Sequence, residues 1–361
     1  MSAILTPDLK VGIAALPAHP DRIDVRSPSE FALDRIPGAV NLPVLDDVQR
    51  AEVGTMHAQV SAFAARRHGA AIVARNIATI LETYCAEKRR EWSPLVYCWR
   101  GGKRSGSLAH VLKEVGFRPV QLQGGYQTYR RYVVATLATL PRRFDFVVIC
   151  GLTGSGKSRL LRAMADVGGQ VLDLEAMAKH RGSLLGDIPD DPQPSQKAFE
   201  SAILTALENF DASRPVFIES ESRKIGTVQL PDDLLSSMRA ARCVRLYTPQ
   251  HLRVSLLKED YEHFLRDPDA LAVKFERLVP LHGRKTIEHW IAAARAGDFD
   301  TLVDELLVRH YDPTYSRSIE YNFSLSAQAL AVTPTAISHA ALRELARDVL
   351  AAVERIAEPT P

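Results

Sequence analysis

Two short stretches carry residue types whose spacing can do chemistry. The first, Gly151-Leu-Thr-Gly-Ser-Gly-Lys157-Ser158, satisfies G-x-x-x-x-G-K-[ST] in full, between an apolar run and a helical pattern. Glycines at such positions let successive backbone N–H groups turn inward around phosphate oxygens. The helix that follows adds the partial positive charge of its N-terminus. Thr153, Gly154, Ser155 and Gly156 complete the cradle; Lys157 reaches terminal phosphate oxygens, and Ser158 offers a hydroxyl to Mg2+. The pattern selects a di- or triphosphate, not the group attached to it.

The second stretch is Cys98-Trp-Arg100-Gly-Gly-Lys103-Arg104-Ser105. A cysteine at a strand end, facing backbone N–H groups and a helix N-terminus, is favoured as thiolate. Arg100, Lys103 and Arg104 place three cations within six residues, ready to partner an anion. Such a thiol attacks or carries an anionic chalcogen or phosphorus group. The plainer alternative is a buried core thiol, the reading given to Cys85, Cys150 and Cys243. No C-x-x-C pair or zinc spacing occurs.

Weaker signals surround these two. Asp173 and Glu219 end apolar runs and are candidates for the acidic partner of Mg2+ or water, against ordinary strand-end carboxylates. Arg181, Arg223, Lys224, Arg284 and Lys285 are candidate anion contacts, although an exposed salt-bridged cation is the commoner case. Between Cys98 and Arg143 nine Lys/Arg, including Arg130 and Arg131, face one acid, Glu114. That excess suits a polyanion such as RNA, and a solvated basic face explains it equally well.

The elements that must position these residues alternate. Residues 22–25, 95–98 and 120–125 read as strands, 46–88 as one long helical stretch and 105–115 as an amphipathic helix. Further apolar strands follow at 144–150, 171–174, 216–219 and 243–247, and from about 248 the pattern is mostly helical. Strands alternating with helices predict an α/β chain with a parallel sheet in each half. With 361 residues, two domains are expected. The predicted divisions are 1–140 for a domain carrying Cys98, 141–321 for a P-loop domain with a helical extension, and 322–361 for a helical tail. The 46% hydrophobic and 24% charged content is that of a soluble globular protein, and the net charge of +2 averages unlike segments. The lack of a secretory pattern and of an 18-residue apolar run predicts a cytoplasmic, reducing location.

Asp24-Val-Arg26, Ile36-Pro-Gly-Ala-Val-Asn-Leu-Pro43, the Cys98 loop and Leu122-Gln-Gly-Gly-Tyr126 resemble, in order, the landmarks of a rhodanese domain. Five residues separate Cys98 from Arg104, as in rhodanese-fold phosphatases, where many sulfurtransferases have four. A longer loop makes a wider anion cradle. A rhodanese-like domain running into a P-loop domain resembles the tRNA 2-selenouridine synthase family over roughly residues 10–320. Leu172-Asp-Leu-Glu175, His180-Arg-Gly-Ser183, Ile218 to Ile225 and His282-Gly-Arg-Lys285 resemble it too.

The resemblance implies a tRNA whose wobble base is 2-thiouridine, geranylated on sulfur by geranyl diphosphate and then exchanged with selenophosphate supplied by selenophosphate synthetase. It implies Cys98, Arg100, Arg104 and Lys157 as catalytic, with Mg2+ at Ser158, in a chain expected to be monomeric. Three alternatives stand beside it. They are an ATP-dependent tRNA sulfurtransferase or small-molecule kinase, a phosphatase using the C-x5-R loop, and a non-enzymatic tRNA-binding module.

Overall fold

The computed structural model describes residues 10–183, 185–323 and 325–357. They form two compact units, one of residues up to 136 with 200–205 and one of 137–199 with 206–361.

The first unit is built from β1 (Lys10–Val11), β2 (Arg22–Asp24), α1 (Pro28–Leu33), β3 (Ala39–Asn41), α2 (Asp47–Gln59), α3 (Ala62–Thr83), β4 (Leu95–Tyr97), α4 (Lys103–Val115), β5 (Val120–Leu122) and α5 (Gly125–Leu137). Its five strands are all parallel, in the order β1-β5-β4-β2-β3. Helical crossovers cover both faces of such a sheet, so every residue of β4 and β5 is buried. Ile23, Val96, Ile77, Ile80, Leu108 and Leu112 form its core.

The 46–88 stretch, expected as one run, is two helices. At the break the Ser61 hydroxyl accepts from the N–H groups of Phe63 and Ala64, capping α3. Helix α4 starts at Lys103, two residues earlier than expected, and ends on Gly116 at φ 109°. Between β2 and α5 lies a buried ion pair. Arg26 donates to Asp24 at 2.6 Å, both side chains 1% exposed or less, and its guanidinium sits 4.0 Å from the Tyr126 ring centroid. Tyr126 Oη donates to Asp34 at 2.7 Å, and Arg26 donates to the Asp34 carbonyl at 2.7 Å. Removing one partner of such a pair typically costs about 3–5 kcal/mol, so this cluster pins the start of α5 against the carboxyl end of the sheet, where Cys98 follows the central strand β4.

The second unit continues with β6 (Phe146–Gly151), α6 (Lys157–Asp166), β7 (Gln170–Leu172), α7 (Leu174–Ala178), α8 (Gln196–Asn209), β8 (Val216–Glu219), the hairpin β9 (Lys224–Ile225) and β10 (Val228–Gln229), α9 (Asp232–Arg239) and β11 (Arg242–Leu246). Then come α10 (Gln250–Asp260), α11 (Glu262–Arg266), α12 (Pro268–Phe275), α13 (Val279–His282), α14 (Arg284–Arg295), α15 (Phe299–Leu306), α16 (Asp312–Asn322), β12 (Leu330–Val332) and α17 (His339–Ala357). The sheet order is β12-β11-β6-β8-β7, all parallel.

The stretch from 322 onward, expected as a helical tail, instead completes this unit. Its β12 pairs with β11, and Leu342, Ala346, Val349 and Val353 of α17 pack on Leu160, Leu161 and Met164 of α6. A three-residue strand in an Ala-rich stretch leaves no periodic signal. Helices α10 to α16 bury Phe275, Trp290, Leu302 and Leu307 in a core of their own. Among the described residues no helix is long and apolar enough to cross a membrane.

Candidate functional site

The phosphate loop connects β6, buried along its whole length, to α6. Gly154 and Gly156 adopt φ +72° and +88°, the left-handed region that glycine enters without strain. A Cβ on Gly154 would stand 2.7 Å from Leu257 Cγ, because the loop lies directly against α10. Gly151 is equally tight: a Cβ there would meet Ser155 Oγ at 2.6 Å. Lys157, 8% exposed, folds its Nζ back over the loop, donating to the carbonyls of Gly151 at 3.1 Å and Leu152 at 3.4 Å.

The hydroxyls of Thr153 and Ser155 and one Nη of Arg181 are buried without a hydrogen-bond partner. Buried polar groups are nearly always paired; three such groups around one phosphate loop are what a polyoxyanion would satisfy. Ser158 Oγ donates to Glu175 at 2.6 Å. Asp173 caps α7 by accepting from Ala176 N at 2.8 Å and reaches the cradle rim, as do Arg159, His180, Arg181, Tyr261 and Tyr315. Burial lowers the pKa of His180, so its ring is held toward the neutral form. Burial also pushes the Tyr261 phenol up to about 12.

Glu219 does not line the cradle. It is fully buried, accepting from Leu174 N at 3.0 Å, and burial holds its carboxyl well above the usual range. Its neighbour Glu221, also buried, is pushed up to about 8 by burial and by the charge of Glu175, with Lys157 opposing. Mg2+ fits better at Ser158 and Glu175, hard oxygen donors already in contact beside the lysine. No group of three or more His, Cys, Asp or Glu among the described residues is arranged to hold a metal. Mg2+ bound through one or two protein oxygens and its substrate's phosphates needs no such group.

The cysteine loop follows β4. Cys98, 4% exposed, accepts at Sγ from Gly102 N at 3.3 Å and from Ser105 Oγ at 3.2 Å. Gln121 on β5 braces the loop, its Nε2 donating to the carbonyls of Gly101 and Gly102 and to Ser105 Oγ at 2.7–3.1 Å. The start of α5 closes the other side, Tyr126 N donating to Cys98 O at 2.8 Å and Gln127 N to Trp99 O at 3.0 Å. Gly125, at φ +58°, is required there: a Cβ would fall 2.2 Å from Cys98 O.

The cations of this loop differ in their surroundings. Arg104 turns to Glu30, with contacts of 2.7 and 3.3 Å, and helps hold that carboxyl below its usual range. It ties α4 to α1 through this carboxylate, where the sequence reading expected it to meet an incoming anion. Arg100 stands exposed on the loop. Farther out, Arg130 is half-buried on α5, and Arg131 is exposed with its Nε on the Gln127 carbonyl. Arg223 is exposed and pairs with Asp232 at 2.5 Å; Lys224, Arg284 and Lys285 are exposed, and none of the four lines the phosphate cradle.

Sequence reasoning missed Glu175, Tyr261 and Tyr315 at the cradle, the buried Glu221 that interacts with Glu175, and Gln121 and Glu30 at the thiol loop. Glu175 was findable, since it stands beside Asp173 in Leu172-Asp-Leu-Glu175. The others come from distant elements and leave no local pattern.

Comparison with known proteins matches the chain to two family models. Residues 144–273 match the tRNA 2-selenouridine synthase AAA domain, and 9–132 match the rhodanese-like domain. A tRNA 2-selenouridine synthase of Nitrosomonas europaea is 37% identical over 262 residues, 72% of this chain and 67% of that protein. One of Chromohalobacter salexigens is 32% identical over 326 residues, 82% of this chain and 88% of its own. The chain belongs to the tRNA 2-selenouridine synthase family. A further member, of Nitrosomonas eutropha, is 36% identical over 66% of this chain and 62% of its own length. Within the family frame, Cys98 falls in the rhodanese-like match and Lys157 in the AAA match, while α13 to α17 lie beyond both.

Proposed function

We propose that this transferase converts 2-thiouridine at a tRNA wobble position to 2-selenouridine in two steps at two centres. Geranyl diphosphate alkylates the thiouridine sulfur, and selenophosphate, delivered by a selenophosphate synthetase, then replaces the geranylthio group. The observation that carries this reading is the pairing of a built phosphate cradle with a separately braced thiol, in one chain of this family.

In the first step the base sulfur attacks C1 of the prenyl chain. The C–S bond forms, the C–O bond breaks with its electron pair leaving on diphosphate, and the N3 proton of the base is released. Lys157, the loop N–H groups and Arg181 hold the departing charge, acting where it develops. Mg2+ at Ser158 and Glu175 would supply further neutralisation. No protein nucleophile is needed here.

In the second step a C–Se bond replaces the C–S bond at C2. Geranylthiol is released, and water takes up the phosphate. Cys98 handles the selenium donor, beside Gly102 N and Ser105 Oγ. The basic 98–143 segment holds the anticodon-loop backbone, an attraction that weakens as salt rises. The enzyme is expected to work as a cytoplasmic monomer.

The test is nucleoside mass spectrometry of 2-thiouridine tRNA incubated with the purified protein, geranyl diphosphate and Mg2+, with and without selenophosphate. The expected products are S-geranyl-2-thiouridine without selenophosphate and 2-selenouridine with it. Unchanged thiouridine in both, from folded protein, would turn the reading to an ATP-dependent sulfurtransferase.

A further inference from the structure

Two side chains from outside the phosphate loop hold alternate carbonyls within it. Between β11 and α10, Thr248 donates its hydroxyl to the Ser155 carbonyl at 2.7 Å. On α10, Arg253 donates Nε to the Thr153 carbonyl at 2.9 Å. Arg253 is 4% exposed, and its two remaining nitrogens fork onto the Asp312 carboxylate at 2.5 and 3.0 Å. Asp312 opens α16, directly after a π-helical turn at Leu307–Tyr311. A turn of that kind takes in an extra residue and so re-aims the side chains that follow it.

A buried ion pair adds little net stability over apolar residues of the same shape, because desolvation offsets the attraction. What the fork supplies is direction. A peptide unit is planar and trans, so its N–H points opposite to its carbonyl. Turning the Thr153 carbonyl to Arg253 therefore turns the Gly154 N–H away from the arginine. Thr248 does the same for the Gly156 N–H through the Ser155 carbonyl. Both N–H groups belong to glycines at positive φ, the residues whose backbone is freest to rotate. An anion gains most from donors already aimed at it, since donors that must first be ordered spend part of the binding energy. We infer that Arg253 and Thr248 are positioning residues of the phosphate loop, aiming the Gly154 and Gly156 N–H groups at the bound anion, with Asp312 fixing Arg253 for that task. The inference rests on a phosphate group occupying the cradle, and not on what that group is attached to.

Calorimetric titration of the full chain with inorganic pyrophosphate reads the loop without prenyl group or tRNA, with the melting temperature of each variant recorded beside it. Thr248→Val keeps the shape and removes the donor. It should weaken pyrophosphate binding about 5-fold, and Thr248→Ser, which keeps the hydroxyl, should restore it. Arg253→Lys keeps a charge for Asp312 but loses the planar fork, and should weaken binding about 10-fold in a chain that still folds. A purely structural ion pair predicts the opposite for lysine, with affinity kept wherever the charge is kept. Should Arg253→Lys misfold, the Thr248 pair decides alone. Native affinity in folded Thr248→Val and Arg253→Lys would overturn the inference, as would weakened binding that Thr248→Ser fails to restore. A native chain that binds no pyrophosphate would overturn the cradle reading itself, and the inference with it.

Discussion

The two loops are built alike, each following a buried parallel strand and leading into a helix, yet their polar groups are satisfied in different ways. At the thiol loop the hydrogen bonds close on themselves: Cys98, Ser105, Gln121 and the loop carbonyls form one network, and Arg104 is tied to Glu30. At the phosphate loop the Thr153 and Ser155 hydroxyls and an Arg181 nitrogen are buried without partners. The first loop is shaped in advance to hold one atom, sulfur, among neutral donors. The second keeps buried polar groups that a polyoxyanion would satisfy. A reaction that needs one site to grip a leaving diphosphate and another to present a chalcogen would divide its chemistry this way.

The largest expected effect comes from removing the cation that the diphosphate needs. Lys157→Ala should lower kcat/KM for S-geranylation by about 10³-fold, as loss of a charged transition-state partner does. Supplied with pre-geranylated tRNA, the same variant should still exchange selenium at near-native rates. Parallel losses in both assays would erase the distinction between the loops.

Next is a change that attacks the shape of the thiol loop without touching its chemistry. Gly125→Ala forces a side chain into positive φ, at about 1–3 kcal/mol, and drives a Cβ against the Cys98 carbonyl. It should lower the denaturation midpoint of the first unit and abolish selenium exchange, with geranylation kept. Unaltered exchange would show that the loop needs no preformed backbone.

The smallest effect concerns stability near the cradle. Glu221 has a native pKa of about 8, above the ordinary carboxyl value, so between about pH 4.5 and 8 the folded chain keeps a proton that the unfolded chain has lost. Stability must therefore fall as pH rises through that window. Glu221→Gln removes this contribution and should melt higher than the native protein at pH 8.5, by an amount on the order of a few kcal/mol, with little difference at pH 4.5. Melting curves at the two pH values check it. An equal gap at both would assign the effect to packing.

Much of this was legible in the sequence because parallel-sheet strands are continuous apolar runs and glycine loops are local. Both loops, their strands and the helices after them could be placed from contiguous residues. What escaped depended on contacts at long sequence distance. Nothing near Arg104 says that Glu30, 74 residues away, will engage it. Nothing near Gly151 says that Tyr315 will stand at the cradle rim. The strand at Leu330–Val332 was hidden because a three-residue edge strand takes its stability from β11 and not from its own pattern.

The central claim is that the thiol serves selenium and not the prenyl transfer. Cys98→Ala, incubated with 2-thiouridine tRNA, geranyl diphosphate, Mg2+ and selenophosphate, isolates it in one mass spectrum. The account predicts S-geranyl-2-thiouridine accumulating at the native rate with no 2-selenouridine. Absence of the geranylated nucleoside, from a variant shown to be folded, would contradict it.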